Sequence, residues 1–259
     1  MERSWQPGEL IPWLADAPTG ATVWVAFSGG LDSTALLHGA SRAAGAAGAR
    51  LAAVHVHHGL HPRADAWAEH CRGECAKLGV ALRIARVDAR PGRRQSPEDA
   101  ARRARYAALA EVLAPGDVAL TAHTRDDQAE TVLLALLRGS GPAGLAAMPP
   151  RARLGRGALW RPLLDVPRGA LAAFVRGLGA PWLEDPANTA LHLERNRVRH
   201  QVLPLLREMR AGADAALSRA ARLQAGAARL LGQLGEADLD AALDGDGALP
   251  AAALGGDPD

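Results

Sequence analysis

Apolar residues recur along this chain in two rhythms. Short dense runs fall at 22–27 (TVWVAF), 51–57 (LAAVHVH), 82–87 (LRIARV) and 118–122 (VALTA). Between them lie 34–47, 65–78 and 97–113, where apolar positions return at helical spacing and each stretch closes on Gly or Pro. The runs have strand length and the intervals have helix length, so the pattern predicts β-strands alternating with α-helices. That alternation indicates a parallel sheet with helices on both faces. The first run is continuously apolar rather than alternating, as a strand covered on both faces should be.

A further helix is expected over 126–138. A glycine- and proline-rich loop over 139–157 (GSGPAGLAAMPPRARLGRG), a strand over 159–164 and a helix over 168–178 follow. A loop that long inside a compact domain tends to be functional or mobile. After APWLEDPANT the character changes. From about Glu194 the chain reads as helical and rich in Ala, Leu and Arg, and it ends in LGGDPD, which reads as a frayed tail. The expected fold is α/β: a doubly wound, mostly parallel sheet over 1–203, then a small helical region over 204–259, with no internal repeat.

Composition narrows the picture. The 259 residues suffice for one sizeable domain and a smaller piece. Hydrophobic residues make up 48% but aromatics only 3%, so the core must be built from Ala, Leu and Val. A net charge of +2 does not announce a nucleic-acid binder by bulk charge; the clustering of arginine matters more. Lys77 is the only lysine. Cys71 and Cys75 sit four apart in an expected helix and cannot build a disulfide framework. MERSWQPGEL has no basic-then-apolar leader pattern, and no apolar run approaches the ~18 residues of a membrane span. These features predict a reduced, soluble, cytoplasmic protein.

Candidate chemistry begins where the first strand breaks, at Ser28-Gly29-Gly30-Leu31-Asp32-Ser33. In an open parallel sheet, ligands bind beyond the carboxyl ends of the strands. Glycines there let backbone approach a ligand, and the following helix presents unpaired N–H groups and a positive dipole end. The joint therefore reads as a phosphate cradle, with the Ser28 and Ser33 hydroxyls joining the amides. It is neither a Walker A loop, which needs Gly-Lys-Ser/Thr, nor a dinucleotide fingerprint, whose third glycine is absent. Asp32 would suit such a site only through a bridging Mg²⁺. The competing reading, a glycine turn with Asp32 or Ser33 capping a helix, is equally open on this stretch alone.

SGGLDS matches the SGGxDS signature of the PP-loop ATP pyrophosphatases, which cleave ATP between the α and β phosphates and adenylate a carbonyl-type oxygen. Three further segments narrow the resemblance: HVHHGLHPRAD (55–65), TAHTRDDQAETVLLALLRGSGPAGLAAM (121–148) and, within 161–206, RPLLDVPRGALAAF with WLEDPANTALHLERNRVRHQVLPLL. Together they resemble the tRNA(Ile)-lysidine synthases from about Val23 to Leu206. The second segment is the most specific, since its H-x-x-D-D-Q-x-E-T block and R-G-S-G-x-x-G-L loop occur together. The resemblance implies ATP and Mg²⁺ as cofactors, and free L-lysine and an isoleucine tRNA with a CAU anticodon as partners. The C2 oxygen of the wobble cytidine would be adenylated, and the lysine ε-amine would then displace AMP to give lysidine. The family contains dimers, so a homodimer is an assembly it allows.

The residues support such chemistry in their own right. Asp126, Asp127 and Glu130 fall at the start of a helix after a strand end, at spacings that put Glu130 beside Asp127, or beside Asp126, on one face. Such carboxylates would hold Mg²⁺ or the lysine ammonium and accept its proton. Acids in a first helical turn also favour the dipole without any ligand. Three of them, beside His123 and opposite a phosphate cradle, favour function. Asp32 and Asp127 are the candidate Mg²⁺ ligands. In ERNRVRH, Arg195, Asn196 and Arg199 match the family's R-N-x-x-R, and arginine forks suit phosphate. Arg195 and Arg199 are therefore expected at the ATP phosphates or the tRNA backbone. The resemblance also implies that Arg105 and Tyr106 approach tRNA or the active site.

Zinc chelation by His55, His57, His58 and His61 is the weaker reading of that cluster. The chain departs from the family pattern at His57 (usually Asn), His61 (usually Arg), Thr124 (commonly a second His) and DPAN (more usually D-P-S-N). Family members usually continue into one or two C-terminal domains that grip the tRNA acceptor end, whereas this sequence stops at Asp259 inside what reads as the first helical region. Two rivals remain. A tRNA-thiolating PP-loop enzyme would use paired cysteines near the site. A non-catalytic nucleotide-binding module would need neither the acids nor the arginine segment.

Overall fold

The computed structural model describes residues 4–93 and 96–243. A 3-10 turn at Pro7–Leu10 and α1 (Ile11–Ala15) lead into β1 (Thr22–Ala26), α2 (Leu31–Ala47), β2 (Arg50–His57), α3 (Ala64–Lys77) and β3 (Ala81–Arg86). The chain continues through α4 (Pro97–Val112), β4 (Val118–Leu120), α5 (Arg125–Leu137), α6 (Pro142–Leu145), β5 (Arg151–Leu154), β6 (Gly157–Trp160) and α7 (Arg168–Leu178). After a 3-10 turn at Pro186–Thr189 come α8 (Glu194–Arg197), a π-helical turn at Val198–Val202, α9 (Leu203–Met209) and α10 (Ala213–Ala242). The expected frayed tail, 254–259, lies outside the described residues, as does the end of the 204–259 region.

The strands form one six-stranded sheet in the order β3-β2-β1-β4-β6-β5, parallel except for β5. Both faces are covered, as the first apolar run implied. Val23 and Val25 of β1 pack with Leu36 and Leu37 of α2, while Trp24 and Ala26 pack with Leu109 and Val112 of α4. A fully buried leucine of this kind contributes about 1.5–3 kcal/mol. Cys71 and Cys75 of α3 are buried in the same main core, small apolar fillers rather than a redox pair. Lys77 closes α3, its ammonium 2.5 Å from Glu74. Because α3 starts after the carboxyl end of β2 and returns the chain to the start of β3, Lys77 lies at the opposite end of the sheet from the strand carboxyl ends. Among the described residues no helix is long and apolar enough to cross a membrane.

The stretch 139–157 is not a plain loop. It holds α6 and β5, and β5 pairs antiparallel with β6 from Arg151↔Trp160 to Leu154↔Gly157. RARL is too short and too polar to stand out as a strand. It is an edge strand, where arginines deter further pairing. Arg151 lies over the rings of Trp13 and Trp160, 5.0 and 4.4 Å from their centroids, and pairs with Asp16, which ties this edge to the N-terminal helix. The strand expected over 159–164 instead ends at Trp160, where buried Arg161 turns its Nη1 to the Pro149 carbonyl at 2.7 Å.

The helices after Glu194 do not rest on the sheet. Val198 and Leu203 pack on Ala129 and Leu134 of α5, and α10 lies against α5 and α6 through its first half. The chain winds from β1 to β3 on one side and from β4 onward on the other, so the order reverses between β1 and β4. The crevice at that reversal, beyond the strand carboxyl ends, is where open α/β sheets take ligands.

Candidate functional site

Two strand ends supply the two walls of that crevice. β1 delivers the chain into Ser28–Ser33. Gly29 has φ +82°, and a Cβ there would stand 2.7 Å from Leu183 Cδ1 and 3.1 Å from His70, so only glycine fits. Leu183 holds the turn from below, its N–H donating to the Gly29 carbonyl at 2.8 Å. Ser28 and Ser33 are 3.0 Å apart through their hydroxyls, and Ser33 Oγ donates to the Gly30 carbonyl at 2.9 Å. No side chain caps α2. The capping role weighed for Asp32 or Ser33 is therefore not realised. The first amides of α2, Leu31 to Ser33, lack helical acceptors and point out of a preformed turn at the positive end of a 17-residue helix. That arrangement fits phosphate.

β4 delivers the opposite wall. Thr124 caps α5 in a reciprocal box with Asp127: the Thr124 N–H and hydroxyl both donate to Asp127 Oδ2 at 2.9 Å. Glu130, fully buried one turn on, accepts from Arg195 Nε at 2.8 Å, Arg199 Nε at 2.6 Å and Arg199 Nη2 at 2.9 Å. Arg199 and Arg195 also reach Asp127 Oδ1, at 3.1 and 3.4 Å. The expected arginine pair and two of the three expected acids thus meet in one cluster, with Arg199 carried on the π-helical turn. Asp126 leaves it: its oxygens take the Arg168 backbone N–H and Arg207 Nη2, each at 2.8 Å. Asn196 serves the scaffold, donating to the carbonyls of Ala187 and Ala190.

The two walls feel each other electrostatically. Burial pushes the Asp32 carboxyl up to about 6; Arg168 opposes the rise and Asp127 adds to it. Burial works to raise Asp127 as well, but Arg195, His123, the Thr124 amide and Arg199 outweigh it and hold that carboxyl below its usual range. His123, desolvated and hydrogen-bonded to the Thr121 hydroxyl at 2.9 Å, is pushed down to about 4 and is neutral at physiological pH.

A stability test follows for Asp32. Its carboxyl is raised in the fold above the ordinary 3.8, so its share of stability is present below about pH 4 and lost as pH rises through about 6. Asp32→Asn removes that loss. The variant should gain on the order of 1–3 kcal/mol over the wild type between pH 4.5 and pH 7.5, read by urea unfolding at both. A difference that does not change with pH overturns the assignment.

Two cavities lie beyond the strand carboxyl ends. One, of about 300 Å³, is lined by Asp126, Glu130, Arg168, Arg199, Leu203 and Arg207, among others. The other, of about 480 Å³, lies at the ends of β2 and β3 beside His57, His58, Leu60, Arg86 and Arg90. The histidines do not assemble a metal site: among the described residues no group of three metal-ligating side chains converges. His57 instead lies 3.2 Å from Asp65, which also holds Arg86, and His61 stacks on Trp67. The Cys71 and Cys75 thiols are pushed by burial up to about 12 and about 11, far from thiolate chemistry.

Sequence reading missed Arg168, Arg207 and Leu183. Each reaches the site from a distant segment, and only the turn-closing glycine at Gly29 hinted that something must press on the loop.

Comparison with known proteins agrees with this geometry. The model of the PP-loop domain matches residues 10–206. The tRNA(Ile)-lysidine synthase of Pseudomonas syringae pv. tomato is 51% identical over 234 residues, covering 90% of this chain and 52% of that protein. Its namesake in Alkalilimnicola ehrlichii is 50% identical over 233 residues, covering 90% and 52%, and that of Xanthomonas campestris pv. campestris 50% over 226 residues, covering 87% and 51%. The chain spans about half the length of the curated relatives it matches. Among solved structures, the U34-tRNA thiolase NcsA from Methanococcus maripaludis with its 4Fe-4S cluster has a similar fold. Its TM-score is 0.68 at 16% identity, covering 84% of this chain and 77% of that one.

Proposed function

Because the chain belongs to the PP-loop domain family, we propose that it carries the catalytic machinery of a tRNA(Ile)-lysidine synthase. The observation that supports this most is the uncapped, preformed cradle facing the Asp127–Glu130–Arg195–Arg199 cluster across the sheet's switch point. In the proposed reaction the O2 atom of the wobble cytidine of a CAU-anticodon isoleucine tRNA attacks the α-phosphorus of ATP, and pyrophosphate leaves. The lysine ε-ammonium first loses one proton to a carboxylate of the acidic cluster; the free amine then adds to C2, the C2–O bond breaks, AMP departs with that oxygen, and the nitrogen releases a second proton to water while keeping one.

The residues divide the work. Ser28, Gly29, Gly30, Leu31, Asp32 and Ser33 hold the phosphates, mainly through main-chain amides. Arg195 and Arg199 turn from Glu130 to the phosphates or the tRNA backbone. Asp32 and Asp127 would hold Mg²⁺: burial and the charge of Asp127 raise the Asp32 carboxyl against the pull of Arg168, and a divalent ion would offset both. Bound there, Mg²⁺ would neutralise charge developing on the phosphates. The 300 Å³ cavity suits lysine, with Glu130 and Asp126 for its ammonium groups, Leu203 and Pro204 along its stem, and Arg207 and His200 for its carboxylate. The cavity beside His58 suits the nucleoside. The catalytic domain runs to residue 203, the helices that follow as far as Ala242 contact tRNA, and the protein works in the cytoplasm.

The test is direct. The purified chain, given Mg·ATP, L-lysine and unmodified CAU-anticodon isoleucine tRNA, should convert the wobble cytidine to lysidine, read by mass spectrometry of the digested tRNA. A thiolated base, or no product while ATP binding is intact, overturns the proposal.

A further inference from the structure

α7 begins at Arg168, and two carboxylates from different elements meet that residue. Asp126 Oδ2 accepts its backbone N–H at 2.8 Å. Both oxygens of Asp32 accept from its Nε, at 3.2 and 3.1 Å. Among the described residues neither of its Nη groups has a protein partner. The side chain is half exposed and lines the 300 Å³ cavity with Arg199 and Arg207. The main chain of Arg168 is thus fixed from α5, while its terminal fork stands open beside the uncapped start of α2. That fork is the part of arginine that matches two phosphate oxygens. Among the described residues its one ion-pair partner is Asp32, the carboxylate next to the cradle and the proposed metal ligand.

We propose that Arg168 is a nucleotide-phosphate ligand, held against Asp32 until magnesium takes that carboxylate, and that Asp126 is the positioning residue that fixes its backbone. This rests on the Mg·ATP reading of the cradle. Without nucleotide, Arg168 neutralises Asp32. When Mg·ATP binds, Asp32 would hold the cation, and the Arg168 guanidinium would leave that carboxylate and turn to the β- or γ-phosphate. No charge is left unpaired at either stage. Toward the nucleotide Asp126 is then an anchor: it sets where the swing starts and touches neither phosphate nor metal, whatever its second oxygen does for lysine.

Isothermal titration of the full chain with Mg·ATP, and separately with AMP, tests this. AMP keeps the α-phosphate and lacks the two that Arg168 would grip. Arg168→Ala is expected to weaken Mg·ATP roughly 10- to 100-fold, the size of one or two charge-assisted hydrogen bonds, while AMP affinity stays within about twofold. Arg168→Lys keeps the charge without the fork and should fall between; it also serves if the alanine variant fails to fold. Asp126→Ala should weaken Mg·ATP in the wild type and add little on top of Arg168→Ala. Unchanged Mg·ATP affinity in a folded Arg168→Ala overturns the phosphate role, as does an equal loss for ATP and AMP. Additive losses overturn the positioning role of Asp126. A wild-type chain that binds no Mg·ATP rejects the nucleotide reading itself, and this inference with it.

Discussion

Glu130→Ala is expected to destabilise the fold by about 3–5 kcal/mol, the usual penalty for removing one partner of a buried ion pair. Glu130 is fully buried and receives three guanidinium hydrogen bonds from two arginines that are themselves about three-quarters buried. Truncation leaves Arg195 and Arg199 facing each other with only Asp127 between them, a net positive pocket with little access to water. It also unties α8 and the π-helical turn from α5. Urea unfolding followed by circular dichroism measures the loss, with Glu130→Gln intermediate because its carbonyl keeps one acceptor. Arg138–Glu194, exposed on both sides, is the contrast: breaking it should shift stability by about 0–1 kcal/mol. A Glu130→Ala loss as small as that would show the cluster to be screened by water.

Asp127→Asn tests chemistry with the architecture kept. The amide oxygen still accepts from the Thr124 N–H, so the α5 cap survives, but the amide NH2 replaces the oxygen facing Arg195 and Arg199, and stability should fall by about 1–3 kcal/mol with the fold kept. The charge facing Asp32 across the crevice is lost, and with it one of the two proposed magnesium ligands. Single-turnover lysidine formation should fall at least ~100-fold, the low end for removing a catalytic charge. Activity within a few-fold of the wild type removes Asp127 from the mechanism. A collapse of both activity and fold would assign it to capping instead.

Most of the scaffold was legible because each helix and strand carries its own periodic signal, and several helices also their stop: Gly48 and Gly179 end α2 and α7 in left-handed turns. β5 was not legible, since four residues alternating arginine with small or apolar side chains give no run to detect. Both halves of the site were legible as local motifs, SGGLDS and DDQAE. That they face each other was expected from both lying at strand ends; which acids join the cluster was not. Asp126 and Asp127 are neighbours in sequence, but successive helical residues diverge by about 100°, and spacing alone allowed either to join Glu130. Arrivals from far away decided it: Arg195 and Arg199 on one side, Arg168 and Arg207 on the other. The Arg168–Asp32 contact spans 136 residues and leaves no local trace. Nor does the press of Leu183 under Gly29.

Under the proposed reaction, an activated carbon waits in this crevice for any amine within reach. A lysine side chain on the wall would compete with the substrate and graft the enzyme onto its own tRNA. Here the positive charge is carried by guanidinium groups, which stay protonated and are poor nucleophiles. The only lysine in the sequence is tied to Glu74 at the far end of the sheet. Among the described residues, the crevice can therefore attract phosphate strongly while placing no lysine amine of its own near such an intermediate.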